Sequence, residues 1–433
     1  MITIHLYSAS MDVGEKLDIL AASARYDASC ASSGSRRGPA SGGFGAATPA
    51  GVCHSFTGDG RCVSLLKILY SNQCRYDCAY CANRTSADIR RTAFTVDEIV
   101  ALTVSFYRRN YIEGLFLSSG IFSDPDIVMG RLITVAKTLR QREKFGGYIH
   151  LKTIPGCSPS QMREAGLWAD RLSVNIELPS VSSLTRLAPQ KSGTEILLAM
   201  RNMHDMESES LRDSNTMRSA PRFAPAGQST QLVVGASPDG DDAILRLAGS
   251  LYSRYGLRRV YYSAFVPVSS DPRLPPSSTP PLRREHRLYQ ADWLLRFYGF
   301  EVRELVGEGR NFLEGDIDPK TAWAFRHPDF YPIDLRSAAY EKILRVPGIG
   351  VTGARRILGA RRTSTLKAED LPKLGIAMKR ARWFASLGGK PLEAPVDPER
   401  LAAILADPPM APEARESAPA GGIPSPQLEF SFP

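Results

Sequence analysis

No window of this chain approaches 18 consecutive apolar residues, so no membrane-spanning helix is expected. The opening residues, Met1-Ile2-Thr3-Ile4-His5-Leu6, lack a basic region followed by an apolar run, and no signal peptide is expected. Cysteine is sparse and odd in number, seven in 433 residues. That count, clustered in a chain this long, argues against a secreted disulfide framework. A reducing, cytoplasmic setting is the expectation. A strong excess of one charge is also missing: 54 Lys and Arg face 45 Asp and Glu, and the net +9 is mild for the length. Where the charge sits therefore says more than its total. The length suits two or three domains, and 43% hydrophobic content supports a sizeable core.

Three of the cysteines are gathered in Cys74-Arg75-Tyr76-Asp77-Cys78-Ala79-Tyr80-Cys81, a C-x3-C-x2-C spacing with an aromatic residue before the third. Soft thiolates in so tight a loop suit an iron–sulfur cluster or zinc better than a disulfide. A structural zinc site would close with a fourth ligand at short range, often as a second C-x2-C pair, and none follows. Three protein ligands on a four-iron cluster leave one iron open to a substrate or cofactor. Cys30, Cys53, His54 and Cys62 lie upstream at spacings that match no standard site. Two readings stay open for them, an auxiliary metal site and ordinary packed thiols.

Residues 1–50 offer one short amphipathic stretch, Glu15 to Ala21, and then a Ser/Gly/Ala-rich arm from Ala28 that cannot bury enough apolar surface to fold alone. From Val63 onward, strands and helices alternate. Strands are expected at Val63–Leu69, Gly114–Ser118, Tyr148–Lys152, Arg171–Leu178, Gln231–Gly235 and Arg259–Val266, each followed by a helix. Thr95-Val96-Asp97-Glu98 opens the first helix as a capping box, and Asp124-Pro125 and Ser158-Pro159 open two more. Six such units imply parallel strands with helical crossovers, a partial (β/α)6 barrel over residues 51–335. Functional groups belong at the carboxyl ends of its strands, where the cysteine loop falls. In the fourth strand Ser173, Asn175 and Glu177 share one face and Val174, Ile176 and Leu178 the other. A polar inner face fits a barrel that holds a ligand. His150 and Lys152 share a face of the third strand and point either inward or to a strand-end surface. Glu207–Thr230 and Ser269–Pro281 read as insertions or mobile loops, the second placed where a lid would lie, with an uninvolved surface loop as the competing reading.

Residues 336–390 differ in kind. Val346-Pro347-Gly348-Ile349-Gly350-Val351 begins a helix-hairpin-helix signature, and Leu371-Pro372-Lys373-Leu374-Gly375-Ile376 begins a weaker second copy. This stretch holds 13 Lys and Arg against 3 Asp and Glu, so it carries the chain's surplus charge. A small all-α domain is expected, gripping a nucleic-acid backbone through Gly348, Gly350, Lys379 and Arg380. A hairpin used for protein contacts is the competing reading. Residues 391–433, rich in Pro and Ala, read as a disordered tail.

The cysteine loop resembles that of the radical S-adenosylmethionine (SAM) superfamily. The resemblance implies a 4Fe-4S cluster on Cys74, Cys78 and Cys81, with SAM on the open iron. It implies that an external donor such as flavodoxin or ferredoxin reduces the cluster, and that cleavage of SAM yields a 5′-deoxyadenosyl radical. It carries cofactor contacts onto Tyr80 beside the adenine, and onto Ser118, Ser119 and Gly120 for the amino group. Asn175 or Glu177 would hold the ribose, and Gly235 the adenine. The second-strand motif here has no glutamate, so hydroxyls and carbonyls would make that contact. The segments Lys16–Leu20, Tyr26–Cys30, Cys53–Ser55 and Asp59–Cys62, with the hairpin, resemble the DNA modification/repair radical SAM proteins. That resemblance implies DNA as the nucleic acid and a uracil-DNA-glycosylase-like protein as a partner. Two other functions compete, an RNA-modifying radical SAM enzyme and a non-catalytic iron–sulfur DNA-binding protein. In a helix-hairpin-helix glycosylase Asp370 would hold the catalytic carboxylate, but Glu369-Asp370-Leu371-Pro372 reads more simply as a helix start.

Overall fold

The computed structural model describes residues 11–24, 52–56, 62–276 and 279–408. The expected Ser/Gly-rich arm and Cys30 lie outside them. So do the side chains of Cys53, His54 and Cys62. Contacts divide the described residues into two units, one holding the main sheet and Ser250–Pro280, the other Asp239–Gly249 and residues 281–408.

In chain order the elements of the first unit are α1 (Val13–Ala24), β1 (Val52–Phe56), β2 (Cys62–Leu69), α2 (Val96–Arg108), β3 (Gly114–Ser118), α3 (Pro125–Gln141), β4 (Tyr148–Lys152), α4 (Pro159–Trp168), β5 (Arg171–Ser173), α5 (Val181–Leu187), α6 (Gly193–Thr216) and β6 (Gln228–Val234). α7 (Asp241–Tyr255) and β7 (Arg259–Ala264) complete the βα series. The strands pair in sequence order, β2 to β7 all parallel, with β1 added antiparallel at the edge. The six parallel strands form a curled half-barrel. Helices start where the side chains demand it. Thr95 and Glu98 close the capping box of α2, Asp124 caps α3 ahead of Pro125, and Ser158 caps α4 ahead of Pro159. One face of the sheet is apolar, with Leu66, Ile68, Leu115, Leu117, Ile149 and Leu151 fully buried. The other face is polar. Lys67, Phe116, His150 and Arg171 stand side by side across β2 to β5 and are buried.

Two elements differ from the expectation. α6 runs on to Thr216, through half of the supposed insertion, because Met203 and Met206 bury and the buried Glu207 pairs with Arg258 at 2.9 Å. The fourth strand stops at Ser173. Ser173 pairs with Ser229, yet Glu177 pairs with Leu232, so four steps on one chain face three on the other. That one extra residue is a β-bulge. The Thr230 hydroxyl takes the Ile176 N–H at 2.8 Å in place of a ladder carbonyl, and Glu177 turns to φ +68°.

The second unit contains α8 (Leu282–Phe297), α9 (Val302–Val306), α10 (Pro319–Arg326), β8 (Ile333–Asp334), α11 (Tyr340–Arg345), α12 (Val351–Thr363), α13 (Met378–Ala381), β9 (Ala385–Leu387), β10 (Lys390–Pro391) and α14 (Pro398–Leu405). It begins well before the expected boundary at residue 336. It is also not all-α, which corrects the sequence expectation. β8 pairs parallel with β9, and β9 pairs antiparallel with β10. The Asp334 carboxylate holds the hairpin by accepting from the Gly388 and Gly389 N–H groups at 3.0 and 3.3 Å, with both glycines at positive φ. Strands of two or three residues leave no periodicity to read. Within the stretch expected as a disordered tail, α14 forms instead. Asp397 caps it, Pro398 starts it, and Leu405 is buried.

Two turns of this unit match in form. Gly348 (φ +84°) and Gly375 (φ +81°) are each followed by a buried isoleucine, Ile349 and Ile376, and then by the first turn of α12 or α13. The turns clasp each other: Ala377 N–H donates to Gly348 O at 3.0 Å. A side chain at Gly348 would meet Ala377 O at 2.5 Å. Glycine is required there both by the positive φ and by this approach.

Candidate functional site

The cysteine loop leaves the carboxyl end of β2. Gly120, just past the end of β3, makes room for it. Gly120 N–H donates to Ser71 O at 2.7 Å, and a Cβ there would stand 2.2 Å from Gln73 O. Arg75 N–H donates to Ile121 O at 2.9 Å, so the loop is pinned to β3 on both sides of Cys74. Its return is fastened by Arg91. That guanidinium donates to the carbonyls of Asn72, Asn83, Arg84 and Ala87 at 2.6, 2.9, 2.6 and 3.0 Å. Asn72 adds two bonds of its own, to Arg90 O and from Thr92 N–H, both 2.8 Å. Sequence reasoning missed Arg91, because an arginine whose partners are carbonyls leaves no signal in residue types.

The three thiols lie close enough to couple electrostatically. Burial pushes the Cys78 thiol up, and burial together with the Cys78 charge pushes Cys81 up to about 12. Metal binding must therefore displace protons here. Backbone N–H groups of Tyr76 and Asn83 point at the sulfurs of Cys74 and Cys81, each at 3.4 Å. Among the described residues no three Cys, His, Asp or Glu side chains converge as one ion would require. A cubane cluster asks for something else, one thiolate per iron, and a single loop offering three thiols meets that demand. Cys157 is buried elsewhere, pushed up to about 12 by burial.

Beside the cysteines lies a buried ion pair. Lys191 Nζ donates to Glu177 Oε1 at 2.5 Å, in the neighbourhood of Tyr80 and Cys78. Burial would discharge Lys191, but Glu177 and Tyr80 more than offset it and raise its pKa. The Tyr80 hydroxyl is buried without a partner, the kind of atom a bound group would satisfy. Asn175 is buried and donates to Gln231 Oε1 at 3.4 Å. Lys191 was not foreseen, since it comes to the site from beyond α5.

The other predicted residues fall as follows. Ser118 is buried, and its carbonyl accepts from Tyr70 N–H at 2.7 Å, while the Ser119 hydroxyl donates to Gly120 O. Gly235, at φ +86°, follows the last residue of β6. His150 is buried with Nε2 2.8 Å from the Ser173 hydroxyl and its ring edge-on to Phe116. The segment after β7 reaches the cysteine loop: Ser269 donates to Ala79 O at 3.1 Å, and Arg273 to Arg186 O at 3.1 Å. In the second unit Lys379 is exposed, whereas Arg380 pairs with Asp407 at 2.8 Å and Asp318 at 3.0 Å. Arg380 is thus neutralised within its own unit. Gly350 precedes α12 and Gly348 is held against α13.

Residues 68–213 match the family model of the radical SAM superfamily, from the end of β2 through α6. No curated protein matches the chain. Among solved structures the chain is similar to the FeFe-hydrogenase maturase HydG at 16% identity, over 52% of this chain and 48% of that one, with a TM-score of 0.38. A HydG from Carboxydothermus hydrogenoformans gives 12% identity over 71% and 74% of the two chains, with a TM-score of 0.40. Methylornithine synthase (PylB) gives 16% identity over 46% and 52%, with a TM-score of 0.36. The chain spans about half the length of the first and last of these. No helix among the described residues is long and apolar enough to cross a membrane. The matched segment, about a third of the chain, contains all three loop cysteines at the end of the first parallel strand, and it is this segment that is similar to the radical SAM superfamily, whose members use a 4Fe-4S cluster and SAM.

Proposed function

We propose that this chain is a radical SAM enzyme that acts on DNA, in repair or base modification. The observation that carries the reading is the pairing of a cysteine-loop domain with a basic stretch built around two clasped glycine turns. Cys74, Cys78 and Cys81 hold the cluster, and Arg91 fixes the loop that presents them. Tyr80, Glu177, Asn175 and Gly235 are the residues assigned to SAM in this reading. When bound, the cofactors supply one-electron reductive chemistry that removes a hydrogen atom from the substrate.

The two glycine turns are read as helix-hairpin-helix elements. The N–H groups of the first turn of α12 that follow Val351 are read as donors for phosphate, and 13 basic residues against 3 acidic ones supply the field. Arg355, Arg362, Lys373 and Lys379 are exposed and carry that field outward. Such contacts grip duplex without reading bases, so the choice of DNA over RNA rests on the hairpin form.

The test is anaerobic incubation of reconstituted protein with SAM, reductant and candidate nucleic acids. Formation of 5′-deoxyadenosine that rises with DNA supports the reading. Formation that rises only with RNA moves the substrate class, and none with any nucleic acid overturns it.

A further inference from the structure

The geometry points to a base-stacking platform on α8, formed by Trp293 and Phe297, that receives an unpaired base of a nucleic acid held at the α12 hairpin. The inference rests on the nucleic-acid reading above and deepens it by naming the substrate class. Trp293 and Phe297 are one helical turn apart, and both are unusually exposed for aromatic residues, 39% and 44%. Their ring centroids lie 4.3 Å apart with the planes inclined by 50°. The Arg296 guanidinium stands 4.9 Å from the Phe297 ring centre. Aromatic faces with an arginine beside them are the means by which single-stranded nucleic acid is held without regard to sequence.

The platform is wired to the hairpin. Tyr298 forms hydrogen bonds with both the Val351 backbone N–H and the Trp293 side chain. Val351 is the first residue of α12. A Cβ placed on Gly350 would stand 3.4 Å from the Tyr298 hydroxyl, so the turn passes close to it. One hydroxyl thus connects the start of the helix proposed to meet phosphate with the exposed indole. Inside a duplex both faces of each base are covered by its neighbours. Only an extruded, mismatched or single-stranded base has a face to give. The substrate class is therefore DNA that contains an unstacked base.

The experiment uses the full-length protein and a short DNA duplex carrying one 2-aminopurine, either fully paired or as a single unpaired bulge. Anisotropy reports affinity, and quenching of the 2-aminopurine reports stacking. Wild type is expected to bind the bulged duplex about 5- to 100-fold more tightly than the paired one, with quenching. Trp293→Ala and Phe297→Leu should lose that preference and the quenching while keeping the affinity for paired duplex. Trp293→Phe, which keeps an aromatic face but not the indole N–H, should retain most of both. Equal binding of the two duplexes by wild type, with the variants unchanged, overturns the platform and leaves the hairpin reading standing. Absence of binding to either duplex at low salt overturns the hairpin reading, and the platform with it. A concentration-dependent dimer lost in Trp293→Ala, with DNA affinity unchanged, overturns the platform in favour of a second copy of the chain.

Discussion

Lys191 and Glu177 form a 2.5 Å ion pair beside the cysteine loop, with side chains only 17% and 8% exposed. Glu177 reaches it from the bulge, at φ +68°. Lys191→Met leaves a buried carboxylate unpaired and should cost about 3 kcal/mol. Adding Glu177→Gln should recover most of that loss, as read by thermal denaturation. Asn175→Leu and Glu177→Gln should weaken SAM binding in equilibrium dialysis without altering the cluster's absorbance. Normal SAM affinity in both variants would make the two residues purely structural.

Iron should track the loop. Anaerobically reconstituted protein is expected to hold about four irons per chain. Cys78→Ala should lose most of this iron and all SAM cleavage. SAM cleavage that survives in this variant would rule out the cluster assignment.

Arg91→Met removes one side chain that satisfies four carbonyls. Reconstituted iron content should fall by at least half, although no cluster ligand has changed. Arg91→Lys should recover little, because an ammonium cannot span the fork that a guanidinium does. Iron analysis against protein concentration decides it.

The basic stretch separates into groups that hold the fold and groups that are free to bind. Gly348→Ala should lower the melting temperature sharply, since its Cβ meets Ala377 O at 2.5 Å and its φ is +84°. Arg380→Ala should lower it too, by leaving Asp318 and Asp407 short of a counter-ion. Lys379→Ala should leave melting unchanged and flatten the salt dependence of duplex binding by about 0.9 log–log units if it meets one phosphate. A melting loss for Lys379→Ala alone would reverse this division.

Lys320 is buried, donates to Ile349 O at 2.6 Å and lies 4.8 Å from the Tyr298 ring centre. Burial holds its ammonium down to about 7; Asp318 works against the drop and Arg345 adds to it. Between about pH 7 and 10.5 the unfolded chain binds a proton that the folded one does not, so stability should rise with pH across that window. The slope from this group can reach about 1.4 kcal/mol per pH unit. Below pH 7 both states are protonated and the slope from this group vanishes. Lys320→Met should remove the slope. Denaturant titrations at pH 7, 8 and 9 would show it, and equal slopes in the two proteins would refute it.

What the sequence carried was whatever recurs along the chain or clusters within it. The cysteine spacing, the alternating βα segments and caps such as Thr95 with Glu98 are local, and they appear where local chemistry puts them. Buried Asn175 and Glu177 were visible as polar residues in an apolar strand. The bulge before Glu177 was not, because an inserted residue leaves the alternation of polar and apolar letters intact while shifting the partner strand by one. Arg91 and Lys191 act through contacts with carbonyls and with a distant carboxylate, so nothing near them in the chain announces their role. The β8–β9–β10 sheet rests on strands of two or three residues and on Asp334, which reaches glycines more than fifty positions away.

The fastening of residues 72–87 by Arg91 has a consequence for assembly. Small zinc domains fold only as they take up metal, and their binding energy is spent on ordering the chain. Here the loop is closed by protein–protein hydrogen bonds that need no metal. Cluster delivery then resembles filling a finished mould. The apoprotein should keep its backbone order through cycles of oxidative loss and reloading, and damage to the cluster need not become damage to the fold.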